Sequence, residues 1–241
     1  MRKSLVALLT VSLAVAVLGV VQGWSYDQVA VTDGAVIAGE VKLNGNIPKP
    51  KALEVTKDQE VCGTAPKVSE ELIVSQNKGI KNAVVFLTDI KQGKKIEMSS
   101  KPQFEQKGCS FNPHVLIFPA GSAIDILNND GILHNLHTYS TANPAVNKAQ
   151  PKTRKVMSEK IEKPEFIKVN CDAHSWMQGW LVAAEHPYYA LTDENGAFKL
   201  TDVPAGTYTL KIWHEVLGEQ TKQITVSAKG EAKASFELSQ K

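Results

Sequence analysis

Nearly every patterned segment of this chain alternates apolar and polar residues with a period of two, and none holds the spacing of an amphipathic helix over a convincing length. Successive side chains of an extended strand point to opposite faces, so the pattern buries one face of a sheet and wets the other. The chain therefore reads as all-β. The run AVIAGEVKLNG, with Val36, Gly39 and Val41, ends at a Gly-Asn turn, and a Pro/Lys-rich connection, IPKPKALEVTKDQ, leads on to ELIV and NAVVFLTDI. HVLIF and AIDIL flank a turn at Pro119–Gly121, and EFIKVNC follows. The chain closes with YYALTD, AFKLTD, GTYTLKIW, KQITVSA and ASFELS. Asn195-Gly196, between the first two of these, offers the positive φ angles of a tight hairpin, which is the expectation there.

Arg2 and Lys3 precede an apolar run from Leu5 to Val21, broken only by Thr10 and Ser12, and the chain turns polar after Gly23. This is the layout of a secretory signal over residues 1–23. The same run also has the length of an uncleaved membrane anchor, so both readings stand. Either one places the remainder outside the cytoplasm, periplasmic or extracellular, with membrane association only if the segment is retained. Without residues 1–23 the chain loses Arg2 and Lys3, and 25 basic residues face 25 acidic ones. A net charge near zero argues against a nucleic-acid partner. The charge is unevenly spread: Lys148, Lys152, Arg154, Lys155, Lys160, Lys163 and Lys168 stand against Glu159, Glu162 and Glu165 in one stretch. A solvated loop and a docking surface both fit that pattern.

The three cysteines, Cys62, Cys109 and Cys171, leave one over in an exported protein. Cys62 and Cys109 lie in polar, turn-rich surroundings, and neither has a histidine or methionine at close ligand spacing, His114 being five residues past Cys109. They are expected to form a disulfide, which would close a long loop and contribute about 3 to 4 kcal/mol on the chain-entropy account. Cys171 remains, and a free thiol outside the cell oxidises unless it is buried or bound to a metal.

Cys171, His174 and Met177 occupy seven residues in the order Cys-x2-His-x2-Met. Thiolate and thioether are soft donors and imidazole is intermediate, a combination that selects copper over calcium or magnesium. A trigonal copper site takes two histidines and one cysteine with a long bond to methionine, so a second histidine is needed. The stretch NNDGILHNLHTY offers His134 and His137. Alternation along FIKVNC puts Ile167, Val169 and Cys171 on one face, with the thiol turned into the core.

FNPHVLIFPAGSAIDILNNDGILHN resembles the cupredoxin pattern of Phe-x-Pro, strand, Gly turn, second strand, Asn-x-Asp and His-Asn, matched here by Phe111, Pro113, Gly121, Asn128, Asp130, His134 and Asn135. The resemblance covers about residues 104–184 and implies a Greek-key β-sandwich holding one copper that cycles between Cu(I) and Cu(II). It implies His134 as the second histidine ligand, giving the set His134, Cys171, His174 and Met177, with His174 as the exposed edge through which electrons leave. It also implies that Asn135 bridges the two ligand loops from the outer shell. His137 stays ambiguous between outer shell, substitute ligand and exposed surface. Trp176 and Trp180 are candidates for shielding the site, because the proline that usually adjoins the loop histidine is missing. TDENGAFKLTDVPAGTYTLKIW resembles the second half of a transthyretin-like, or carboxypeptidase regulatory-like, β-sandwich, and residues 34–88 resemble the start of one. Two organisations follow: one sandwich split into halves 34–90 and 186–241 around a copper domain at 91–185, or two domains in series.

Other chemistries find no support. There is no Cys-x-x-Cys-His for haem attachment, no phosphate loop and no Gly-x-Ser-x-Gly elbow. His214-Glu215 opens like a zinc-protease helix, but Gly218 stands where the second histidine belongs. The six histidines include no His-x-His pair of the kind that multicopper oxidases repeat. His114 lies within a strand pattern and reads as structural. The expectation is a non-enzymatic, exported type 1 copper protein that carries single electrons to a redox partner protein. The alternatives are a copper carrier or store, with His137 or Met157 as spare donors, and a surface binding module with a vestigial copper site.

Overall fold

The computed structural model describes residues 26–98 and 100–240, so the expected signal segment lies outside the described residues. The regular structure is almost entirely strand, with a single helical turn, Gln59–Cys62, among the described residues. Four of the sheets form two sandwiches.

The first sandwich is built from both ends of the chain. One sheet has the order Tyr189–Leu191, Val84–Leu87, Gly206–His214, Gly218–Val226, and the other Ala197–Val203, Ala35–Asn44, Glu231–Ser239. Alternation explains the burial: Ala35, Ile37, Val41 and Leu43 face a core shared with Leu87, Tyr188, Leu210, Ile212 and Phe236. Gly39 sits in that register where the parallel strand Glu231–Ser239 passes. A Cβ there would lie 1.6 Å from the Ala234 carbonyl oxygen, so only bare backbone fits.

The second sandwich lies between these pieces in the sequence. Its five-stranded sheet runs Asn147–Gln150, His134–Tyr139, Glu165–Asn170, Gln178–Ala184, Val115–Pro119, and its four-stranded sheet runs Val156–Ile161, Ser122–Asn128, Gln103–Gln106, Phe111–Asn112. Phe104 and Phe111 stack at 4.8 Å within a core that includes Ile124, Ile126, Leu136, Ile167, Val169 and Leu181.

Two expectations need correction. Asn195-Gly196 does not close a hairpin: Tyr189–Leu191 pairs with Val84–Leu87, while Ala197–Val203 pairs with Ala35–Asn44 in the other sheet. Gly196 does take a positive φ of 77°. The Asp193 carboxylate holds the turn by accepting the amides of Asn195 and Ala197 at 2.8 and 2.9 Å. The turn is an arch between sheets, because each flanking strand finds its hydrogen-bonding partner in the N-terminal half of the sandwich.

The second correction concerns part of residues 34–90. Ala52–Leu53 pairs with Lys67–Val68, and the lobe they close buries Val55 and Cys62 in the core of the second sandwich, not the first. Leu53, Val55 and Cys62 are among the few apolar groups in this Pro/Lys-rich stretch, and the surface that covers them is there. The Cys62–Cys109 disulfide is present, spanning 47 residues, and ties the lobe down. The Lys67 ammonium adds a 2.6 Å bond to the Gly108 carbonyl.

The two sandwiches share an apolar seam of Val84, Phe86, Val115 and Val182, flanked by Phe166, Trp180 and Trp213. Trp180 meets Trp213 edge-on at 4.7 Å. Glu215 joins both sides, accepting the Trp180 indole N–H at 2.8 Å and bonding the buried His114 ring.

Candidate metal centre

The strand Glu165–Asn170 delivers Cys171 into the core, where it is 1% exposed behind Ile167 and Val169. The chain then knots. Cys171 N–H donates to the Met177 carbonyl at 3.1 Å, His174 N–H to the Cys171 carbonyl at 3.2 Å, and Met177 N–H to the His174 carbonyl at 2.9 Å. This brings the His174 ring back over the thiol and buries Met177 in the same apolar cluster as Cys171 and Trp176. His134, first residue of the neighbouring strand His134–Tyr139, completes the group.

The Cys171 sulfur lies 3.8 Å from Nδ1 of His134 and 3.7 Å from Nδ1 of His174, and the two nitrogens are 3.1 Å apart. A point equidistant from the three atoms is about 2.1 Å from each, the length of a metal–imidazole bond. Both rings turn Nδ1 inward because Nε2 is committed elsewhere, to Asp130 at 2.8 Å in His134 and to Asp58 at 2.9 Å in His174. The facing nitrogens can share at most one proton, so the centre is lined with more lone pairs than hydrogens. A cation fits that donor set. Such carboxylate partners fix the ring orientation and raise the basicity of the inward nitrogen.

Each carboxylate is itself held. Asp130 accepts the amides of Gly108 and Cys109 at 2.6 and 2.8 Å. Asp58 heads the helical turn with φ 48°, yet its side chain makes no capping bond to that turn and reaches His174 instead. Asn135 ties the two ligand loops: its backbone N–H points at the sulfur at 3.3 Å, and its side-chain oxygen accepts the Asp172 amide at 2.9 Å. Trp176 lies edge-on to His174 at 5.1 Å and donates its indole N–H to the Cys109 carbonyl at 3.1 Å. The disulfide sulfurs lie within 4.8 Å of a His174 nitrogen, so the tether of the lobe adjoins the site.

Electrostatics match this arrangement. Burial pushes the Cys171 thiol up, but His134, His174 and the Asn135 amide outweigh it and bring it down to about 6. Burial pushes His134 down, and Asp130 and Cys171 outweigh that, raising it to about 9. Both shifts run the same way, favouring loss of the proton from Cys171 and its retention on His134, and a bound cation would take the proton's place.

Several expected placements are corrected. His174 is not an exposed edge: it is 0% exposed, covered by the 52–68 lobe and Asp58. His137 does not touch the donors. An odd spacing from His134 along a strand turns it to the other face, where it bonds Asp172 at 2.9 Å and stacks on Tyr139 at 4.5 Å. Met157 is no spare loop donor but a buried residue of the strand Val156–Ile161. Trp180 belongs to the seam. His186 and His214 lie in the first sandwich, each buried and pushed down to about 4 by that burial. Sequence reasoning missed Asp58 altogether and gave Asp130 no role.

The chain's similarities bear on its two halves separately. Residues 176–239 match the carboxypeptidase regulatory-like domain. The match runs from the last strand of the second sandwich through the C-terminal strands of the first. Among solved structures, a purple cupredoxin from Nitrosopumilus maritimus is 18% identical with a TM-score of 0.30, over 35% of this chain and 100% of that one. The reduced state of an amicyanin variant is 15% identical with a TM-score of 0.32, over 36% of this chain and 86% of that one. A copper-containing nitrite reductase from Thermus scotoductus SA-01 is 21% identical with a TM-score of 0.32, over 41% of this chain and 25% of that one. A comparison with curated proteins found no match. No helix among the described residues is long and apolar enough to cross a membrane.

Proposed function

We propose that this protein holds one copper ion through His134, Cys171 and His174, with Met177 as a weaker fourth donor, and carries single electrons between redox partners outside the cytoplasm. One observation carries the reading: a buried cysteine sulfur and two inward-facing Nδ1 atoms converge on a point at bonding distance, each ring backed by a carboxylate. Two imidazoles and one thiolate with a methionine nearby is the donor set of electron-transfer copper sites. Copper bound there supplies one-electron exchange between its +1 and +2 states.

The surrounding residues favour that exchange. The backbone knot fixes Cys171 and His174, Asp130 and Asp58 fix the rings, and the disulfide holds the lobe, so the donors have little room to rearrange between states. With all three donors 0–1% exposed, no open face remains for a substrate, and electron transfer needs none. This supports a carrier of electrons over an enzyme. Storage or delivery of copper, which needs exchangeable donors, loses the two spare ligands expected for it, His137 and Met157.

A redox titration of copper-loaded protein, followed in the visible, tests the proposal. One copper per chain and a reversible one-electron couple are expected. Loss of the metal on oxidation would point to copper handling instead.

A further inference from the structure

Three loops meet at the end of the second sandwich that carries His134. Asn128 N–H donates to the Lys155 carbonyl at 2.9 Å, and its side-chain amide donates to the carbonyls of Ile132 and Gln150 at 2.8 and 3.1 Å. Gln150 in turn pairs with His134 across the sheet. Residues 129–133 and 151–155 are thereby held side by side. The 107–110 loop joins them through Asp130, which takes the amides of Gly108 and Cys109.

The charges on these loops are lopsided. Lys107, Lys152, Arg154 and Lys155 are all exposed, and none has a carboxylate within ion-pair distance among the described residues. The acids nearby are occupied: Asp130 by His134, Asp58 by His174, Asp172 by His137, Glu159 by Lys148 and Glu105 by the Asn129 side chain. Glu54 and Glu60, on the lobe, are exposed, with no ion pair among the described residues, and are the acids left facing solvent there. Among the cations, Leu133 and Val156 are 47% and 50% exposed. Unpaired cations around exposed apolar side chains steer an anionic face in and then give it a dry contact.

We propose that this surface docks the acidic face of a partner protein, one carboxylate away from His134. The inference rests on the copper electron-transfer reading, and it answers a question that reading raises, since the His174 edge lies under the lobe. Protein is favoured over nucleic acid because the cations number only a few and surround a leucine and a valine. The chain's overall charge also lies near balance.

Two measurements test it, one of them independent of copper. Amide signals of the metal-free protein are recorded while hexacyanochromate(III), a paramagnetic trianion, is added. Broadening is expected first at Gly108, Gly131, Arg154 and Lys155; broadening elsewhere, on the lysines of the first sandwich for example, overturns the proposal. Reduced, copper-loaded protein is then oxidised at low salt by ferricyanide and by the cation tris(phenanthroline)cobalt(III). In the variant carrying Lys107→Glu, Arg154→Glu and Lys155→Glu, the ferricyanide rate should fall by about tenfold or more and the cobalt rate should rise, with the visible spectrum unchanged. Equal rates in variant and wild type overturn the docking surface. A protein that takes up no copper fails the functional reading alone, because the broadening experiment still reports the surface. Selective binding to anionic phospholipid vesicles, with no response to the cyanometallates, would assign these loops to a membrane and sink the proposal.

Discussion

Each imidazole nitrogen that faces away from Cys171 meets a carboxylate, and the carboxylate decides which nitrogen is left for a metal. Removing one such partner leaves the ring free to turn. Asp58→Ala should therefore weaken copper affinity by about ten- to a hundredfold, while Asp58→Asn, which keeps an acceptor, should lose less. Competition against a chelator of known affinity measures both. The Cys-x2-His-x2-Met spacing was legible because a single loop supplies it. Asp58 was not, because it reaches His174 across 116 residues and its neighbours read only as a lysine-rich connection. His137 shows the converse: its residue type left it open between outer shell, substitute ligand and surface, whereas the period of two places it on the face opposite His134. Away from the site, His186 and His214 give the first sandwich a pH dependence. Burial depresses both from 6.5 to about 4, so the unfolded chain binds protons that the folded one refuses. Their contribution is complete above pH 6.5 and is lost as pH falls towards 4. Melting temperature measured on metal-free protein should drop across that window, and drop less in His186→Asn if the buried amide fills the same space.

Among the elements, the 52–68 lobe does most to set the character of the site, since it converts an edge expected to be exposed into a buried one. Its own apolar content is small, so its position depends on the disulfide and on the few side chains it buries. Replacing Cys62 and Cys109 with serine should cost about 3 to 4 kcal/mol, from the 47-residue loop that the bridge closes. The same variant should surrender copper to an external chelator much faster than wild type. Urea midpoints and stopped-flow chelation report the two effects separately, and an unchanged chelation rate would mean that the lobe does not guard His174. The lobe's placement could not be read from sequence, because polar connections carry no periodicity to say which core they join. The strands could be read, Ala35–Asn44 and Glu165–Asn170 most plainly, but not their partners. Asn195-Gly196 has the residues of a hairpin and serves as an arch, since pairing is settled by strands far away in the chain.

For the whole molecule, the seam makes one body of two sandwiches. Glu215 is its polar pivot, binding the indole of Trp180 and the ring of buried His114. Glu215→Ala strips both groups of their partner inside a dry contact, which should cost about 1–3 kcal/mol. In calorimetry the wild type should melt in one transition, and the variant at a lower temperature or in two steps. Two patterns for two sandwiches were visible in the sequence, and so was the chance that one interrupts the other. The interlocked sheets, in which Ala35–Asn44 runs beside Glu231–Ser239, came only with the fold. The central claim is that Cys171 and two Nδ1 atoms bind copper together, and the most direct measurement is the visible absorption and electron paramagnetic resonance of the copper-loaded protein beside Cys171→Ser. An intense sulfur-to-copper band with narrow copper hyperfine splitting, both lost in the variant, is the predicted result. A wild-type protein that binds copper without that band, or with a spectrum identical to that of the variant, would contradict it.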